Sequence, residues 1–215
     1  MNEEKRKFIE SVYVPLLFVA IIWALKLSEI VFNFSLAGYG LLPREIKGLP
    51  GIITTPLIHA DINHLISNTL PLLFLGTGIF YFYKIAAKKV IFILYFAPNI
   101  LVWFFGREAY HIGASGIIYG LVTFIFFSGV IRRDVRSIAL SLIVTFLYGS
   151  LVWGVRPIDS KVSWESHLAG AIIGFLCAFI FKKFDPYKKY DWEDEPDTER
   201  PDKLEISYDN EHPFE

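Results

Sequence analysis

The sequence predicts an all-α, polytopic membrane protein of six transmembrane helices. Three observations carry this. Of 215 residues, 53% are hydrophobic and 17% aromatic, too apolar for a disordered chain. The apolar residues fall in runs near or above the roughly 20 that cross a bilayer. The formal net charge of −1 also hides a split. Residues 1–184 carry 10 acidic and 17 basic side chains, net +7, and residues 185–215 carry 12 acidic and 4 basic, net −8. A soluble domain, a secreted disulfide scaffold and a nucleic-acid-binding module fit this poorly. The single cysteine, Cys177, excludes an intrachain disulfide and a cysteine-based metal site. A basic excess in so apolar a body points to charged loops on one side of a lipid bilayer.

Residues 1–11 read as a short N-terminus in which Glu3 and Glu4 mix with Lys5, Arg6 and Lys7. The apolar run after them is too long for a signal-peptide core and lacks a small-residue cleavage site, so it is expected to be a retained helix. Residues 12–184 form the membrane domain. Its six spans are expected near Val12–Phe34, Ile62–Tyr83, Lys89–Phe105, Ala114–Ile131, Ile138–Trp153 and Ser166–Phe181. They should be helices, because the bilayer core has no water to satisfy a free backbone. Lys26 and Glu29 interrupt the first span, three apart, where they could pair or snorkel to an interface. Ser35–His59 is a loop with four glycines and three prolines. Residues 185–215 read as an acidic, mostly disordered cytoplasmic tail.

With the N-terminus in the cytoplasm, 13 basic residues fall on the inner side and five (Arg44, Lys47, Arg107, Arg156 and Lys161) on the outer. That imbalance places both termini inside. Small size and the absence of targeting sequences suggest a bacterial inner membrane.

Polar groups inside a membrane are costly, so they are functional candidates by default. His59 stands in the loop or first turn ahead of the second span, which then carries His64 and Asn68, one helical turn apart on one face. They could equally hydrogen-bond neighbouring helices. The fourth span opens Gly113-Ala-Ser115-Gly116, with Tyr119 and Gly120 following. Ser115 could simply cap its helix. The sixth opens Glu165-Ser-His167, then Gly170 and Gly174. Both helices thus carry Gly-xxx-Gly, which permits close approach and would bring Ser115 and His167 within reach. Even-numbered spans all run from outside to inside, so His64, Asn68, Ser115 and His167 converge near one outer level.

A serine hydroxyl needs a base to become a nucleophile, and His167 is the strong candidate. His64, Asn68 and the Ser115 amide could donate to a developing oxyanion. Tyr119, one turn below Ser115, could stack on the imidazole or merely pack. Asp61, Glu108 and Glu165 lie in the outer loops without a compelling spacing for a third catalytic member. The histidines lack the His-Glu-x-x-His pattern, so neither a metal nor another cofactor is expected.

These residues resemble the rhomboid family of intramembrane serine proteases. The likeness rests on His59-x4-His64-x3-Asn68, on Gly113-Ala-Ser115-Gly116 with Tyr119, and on His167-x2-Gly170-x3-Gly174. They lie in order on alternate spans. It implies a six-helix rhomboid-like bundle with Ser115 as nucleophile and His167 as general base. His64, Asn68 and the Ser115 amide would form the oxyanion hole, Tyr119 would pack on His167, and His59 would be structural. It also implies transmembrane protein substrates that enter past the fifth span, and movement of the last outer loop, about Gly154–Ser163. The first outer loop departs from some members, with Pro43-Arg44 in place of a Trp-Arg pair. Two other readings are a non-catalytic relative that binds or escorts transmembrane clients, and an unrelated channel or transporter. Charges deep in the spans are confined to Lys26 and Glu29, which disfavours a transport path.

Overall fold

The structure, a computed structural model, describes residues 2–157 and 162–188. Among these residues the chain is helical without a sheet. In chain order the helices are α1 (Glu3–Phe32), the single turn α2 (Gly51–Thr54), α3 (Ile62–Phe82), α4 (Lys84–Phe105), α5 (Ser115–Arg132), α6 (Val135–Tyr148) and α7 (Trp164–Ile180). A 3-10 run, Gly149–Val155, extends α6. Five helical segments, Val135–Val155 included, are long and apolar enough to cross a membrane, and α7 is a shorter apolar helix of 17 residues. The protein is an integral, multi-pass membrane bundle.

Helix boundaries differ from the expected spans where polar groups extend a helix beyond its apolar run. α1 begins at Glu3 rather than Val12. The Asn2 side chain accepts from the Glu4 amide, and Glu3 and Glu4 sit at the positive end of the helix dipole. At 30 residues it is about 45 Å long, against a hydrocarbon core of about 30 Å. Its polar first turns therefore project, and Glu4 accepts from Tyr81 Oη at 2.5 Å. α4 begins at Lys84, five residues early. Its first amides, of Ile85 and Ala86, donate to the Asp185 carboxylate at 2.7 and 2.9 Å, a cap supplied from across the fold. Arg132 and Arg136 hold the same segment through the carbonyls of Phe181, Phe184 and Asp185. The start of the acidic stretch is thus built into the bundle. Residues 189–215 lie outside the described residues.

α5 is the hub, packed by α3, α4, α6 and α7. Its contact with α7 is the tightest. A Cβ at Gly170 would overlap the Gly116 carbonyl oxygen, and one at Gly174 would overlap that of Gly120. Backbone lies directly on backbone, as small residues allow between membrane helices. α6 is held loosely by comparison, with only 11% of its spanning window buried. It packs on α5, with Ser141 filling the space over Gly129.

The expected loop 35–59 is built of short helical turns. Leu41 and His111 exchange backbone hydrogen bonds at 3.0 and 2.8 Å, and buried Thr55 Oγ1 joins the same pair. Lys26 and Glu29 pair at 3.2 Å with their side chains nearly buried. Lys26 Nζ also donates to the carbonyls of His59 and Ala60, while Glu29 accepts from the Leu36 amide. These two charges pin the end of α1 to the segment that starts α3. His59 is 2% exposed, with the Leu57 backbone as the polar group beside its ring. Burial, aided by the nearby His64, pushes its pKa from 6.5 down to about 4.

Three outcomes follow from this packing. Gly170→Ala or Gly174→Ala should destabilise the bundle by about 1–3 kcal/mol through overpacking, measured by unfolding in detergent. Asp185→Ala should cost about 1 kcal/mol as a lost cap, whereas truncation after Tyr187 should leave the unfolding midpoint unchanged. The folded state disfavours His59 protonation, so its contribution should be complete above about pH 6.5 and fall as the pH drops toward 4. A His59→Asn variant should show a flatter stability profile across that window.

Candidate active site

A cavity of about 740 Å³ opens among the starts of α3, α5 and α7. His64, Asn68, Ser115, Tyr119 and His167 all line it. The local chain explains each position. Asp61 caps α3 by accepting from the His64 amide at 2.8 Å, which sets the first turn carrying His64. Asn68 follows one turn on. Gly113 has φ +115°, a conformation suited to glycine, and a Cβ there would lie 2.7 Å from the His64 ring. The bare Gly113 lets His64 sit against the chain just before Ser115. Ser115 is the first residue of α5, so its amide has no acceptor within the helix and lies at the positive end of the dipole.

His167 Nε2 is 2.9 Å from Ser115 Oγ. Its other nitrogen, Nδ1, is 2.8 Å from the Gly154 carbonyl oxygen. A carbonyl only accepts, so Nδ1 carries the proton and Nε2 presents a lone pair to the serine hydroxyl. The Tyr119 ring stacks on the imidazole, with centroids 4.0 Å apart and planes 8° from parallel. Asn68 Nδ2 donates to the His64 carbonyl at 2.7 Å, which uses one of its two N–H groups. His59 packs edge-on against His64, ring centroids 5.1 Å apart.

The carboxylates considered for a third member are engaged elsewhere. Asp61 caps α3, Glu165 faces Arg107 at 3.6 Å, and Glu108 is exposed. The group against His167 is a backbone carbonyl, invisible to a search over side chains because every residue has one. Reading from sequence weighed His111 only as one of four histidines that might hold a metal, and gave it no structural role. It is buried, accepts from Ser163 Oγ at 2.6 Å through Nδ1 and donates from Nε2 to the Arg107 carbonyl at 3.1 Å. Burial lowers its pKa. Ser163 in turn caps α7 and contacts Ser166 Oγ at 2.7 Å. Through this chain the loop before α5 holds the start of α7, the helix that presents His167. The loop before α7 that was expected to move, about 154–163, is described only in part, since residues 158–161 lie outside the described residues.

Residues 47–184 match the Rhomboid domain family. An uncharacterized protein of Mycobacterium tuberculosis is 34% identical over 77% of this chain and 72% of its own length. A Bacillus subtilis protein described as a candidate rhomboid protease is 26% identical over 60% of this chain and 65% of its own. RHOMBOID-like protein 1 of Arabidopsis thaliana is 26% identical over 60% of this chain and 34% of its own. With the matched region covering most of a six-helix membrane bundle, the chain belongs to the rhomboid family.

Proposed function

We propose that this protein is an intramembrane serine endopeptidase that cuts transmembrane segments of other membrane proteins near the outer face of the bilayer. The observation that carries the reading is the Ser115 Oγ–His167 Nε2 contact of 2.9 Å, with the far nitrogen 2.8 Å from a carbonyl oxygen that can only accept. In the tautomer this selects, His167 can take the hydroxyl proton as Ser115 attacks the scissile carbonyl. The same proton then passes to the leaving amine, and a water deprotonated by His167 releases the acyl group from Ser115. Ser115, His64 and Asn68 line the cavity in which the oxyanion would form, and the Ser115 amide, the His64 ring and the second N–H of Asn68 are the groups that would donate to it. Tyr119 keeps the imidazole plane fixed by stacking. No step calls for a metal or another cofactor.

The surroundings suit a substrate that arrives within the membrane. Beside the polar cavity lies a second, almost wholly apolar one of about 740 Å³ between α1, α3, α5 and α6. Leu70 and Tyr148 line it, while Pro71 and Leu151, each within a turn of them, line the polar cavity. A helix lying in the apolar groove could thus feed an unwound stretch toward Ser115. Entry beside the loosely held α6 fits the route that family resemblance implies. The 13 to 5 distribution of basic residues favours cytoplasmic termini, and the bacterial relatives favour a bacterial plasma membrane.

Purified protein in liposomes should cleave a transmembrane reporter, and a fluorophosphonate should label Ser115. Ser115→Ala and His167→Ala should each lower cleavage by at least about a thousandfold. Reporter binding without turnover would assign the protein to non-catalytic escort instead, and activity persisting in either variant would overturn the dyad.

A further inference from the structure

We propose that the main-chain carbonyl of Gly154 is a positioning group for His167 and the third member of the catalytic set. The proposal rests on the proteolytic reading above and goes beyond the dyad. A neutral imidazole has two tautomers, and only the one protonated at Nδ1 can accept from Ser115 at Nε2. Gly154 O, 2.8 Å from Nδ1, selects that tautomer because it cannot donate. It also gives the imidazolium a hydrogen-bond acceptor once the serine proton has been taken up. A carboxylate in this place would do so more strongly, at the desolvation cost of a charge. The carbonyl supplies the orientation without an added charge.

Residue 154 is built for this contact. A Cβ there would overlap Tyr119 Oη and lie 3.2 Å from His167 Nδ1. A side chain would therefore push the carbonyl off the imidazole or break the Tyr119 stack. The carbonyl belongs to the 3-10 run Gly149–Val155, which extends the loosely held α6 and packs against α7. The catalytic set is thus assembled from three elements. Any displacement of residues 149–155 from α7 removes the acceptor and leaves the tautomer unselected.

An ester in place of the 154–155 amide tests this without changing a side chain. Incorporating the α-hydroxy analogue of Val155 weakens Gly154 O as an acceptor. The same exchange at Trp153 also removes one N–H from the 3-10 run but leaves Gly154 O intact, and serves as the control. Against a transmembrane reporter, the 155 ester should lower kcat by about tenfold with KM unchanged, and the control should match the wild type. In 15N spectra of histidine-labelled protein, the His167 signal, assigned by its loss in His167→Gln, should show Nδ1 protonated in the wild type. It should show a tautomer mixture in the 155 ester. Equal kcat for the two esters, or a wild-type proton on Nε2, overturns the proposal. The wild-type spectrum decides the point even if the 155 ester does not fold. If wild type neither cleaves nor labels, the proteolytic reading fails, and the spectrum still tests the carbonyl separately.

Discussion

The contact on which the rest of this structure depends is the backbone-to-backbone packing of α5 against α7, at Gly116 with Gly170 and Gly120 with Gly174. Lipid tails are as apolar as leucine, so membrane helices gain little from burying apolar surface against each other. Close van der Waals packing has to do that work, and only glycine lets these two backbones meet. The contact also sets register. Ser115 immediately precedes Gly116, and His167 lies three residues before Gly170, so seating the glycines seats the two polar side chains together. A shift of one helix along the other would separate them by 1.5 Å per residue.

Many of the polar groups at that end are paired within the bundle. Lys26 and Glu29 neutralise each other and satisfy the backbone of the chain leading into α3. Leu41, Thr55 and His111 close the first loop onto the loop before α5, and Ser163 carries that order into α7. Arg107 and Glu165 form a further tie between the same segments. Each unpaired group would cost more here than in water, which accounts for the density of side-chain to backbone bonds around the cavity. The opposite end uses the same device, where Asp185 and two arginines join the chain after α7 to α4, α5 and α6.

The bundle is therefore unevenly held. α5 and α7 are locked, while α6 is the least buried of the long helices and its 3-10 extension bears the carbonyl that orients His167. Rigidity where Ser115 and His167 meet, beside looseness where the Gly154 carbonyl is attached, would make the proposed chemistry sensitive to the position of one span. Tyr119 partly offsets this, since its stack on the imidazole comes from α5 itself.

The sequence by itself determined the class and pointed to the residues that line the cavity. Apolar run length, the two Gly-xxx-Gly patterns and polar residues at the heads of alternate helices are local signals; each polar residue alone has a structural reading, and their convergence on one level singles them out. His64, Asn68, Ser115, Tyr119 and His167 were legible for that reason. Tertiary structure alone decided what depends on distant backbone. The early start of α4 needs a cap from Asp185, about a hundred residues away. The order in the loop 35–59 comes from pairing with His111, and the burial of Lys26 comes from two carbonyls at the start of α3. Above all, His167 is oriented by a peptide oxygen. Every residue carries that atom, so no pattern of side chains distinguishes Gly154 until the fold brings it to the imidazole.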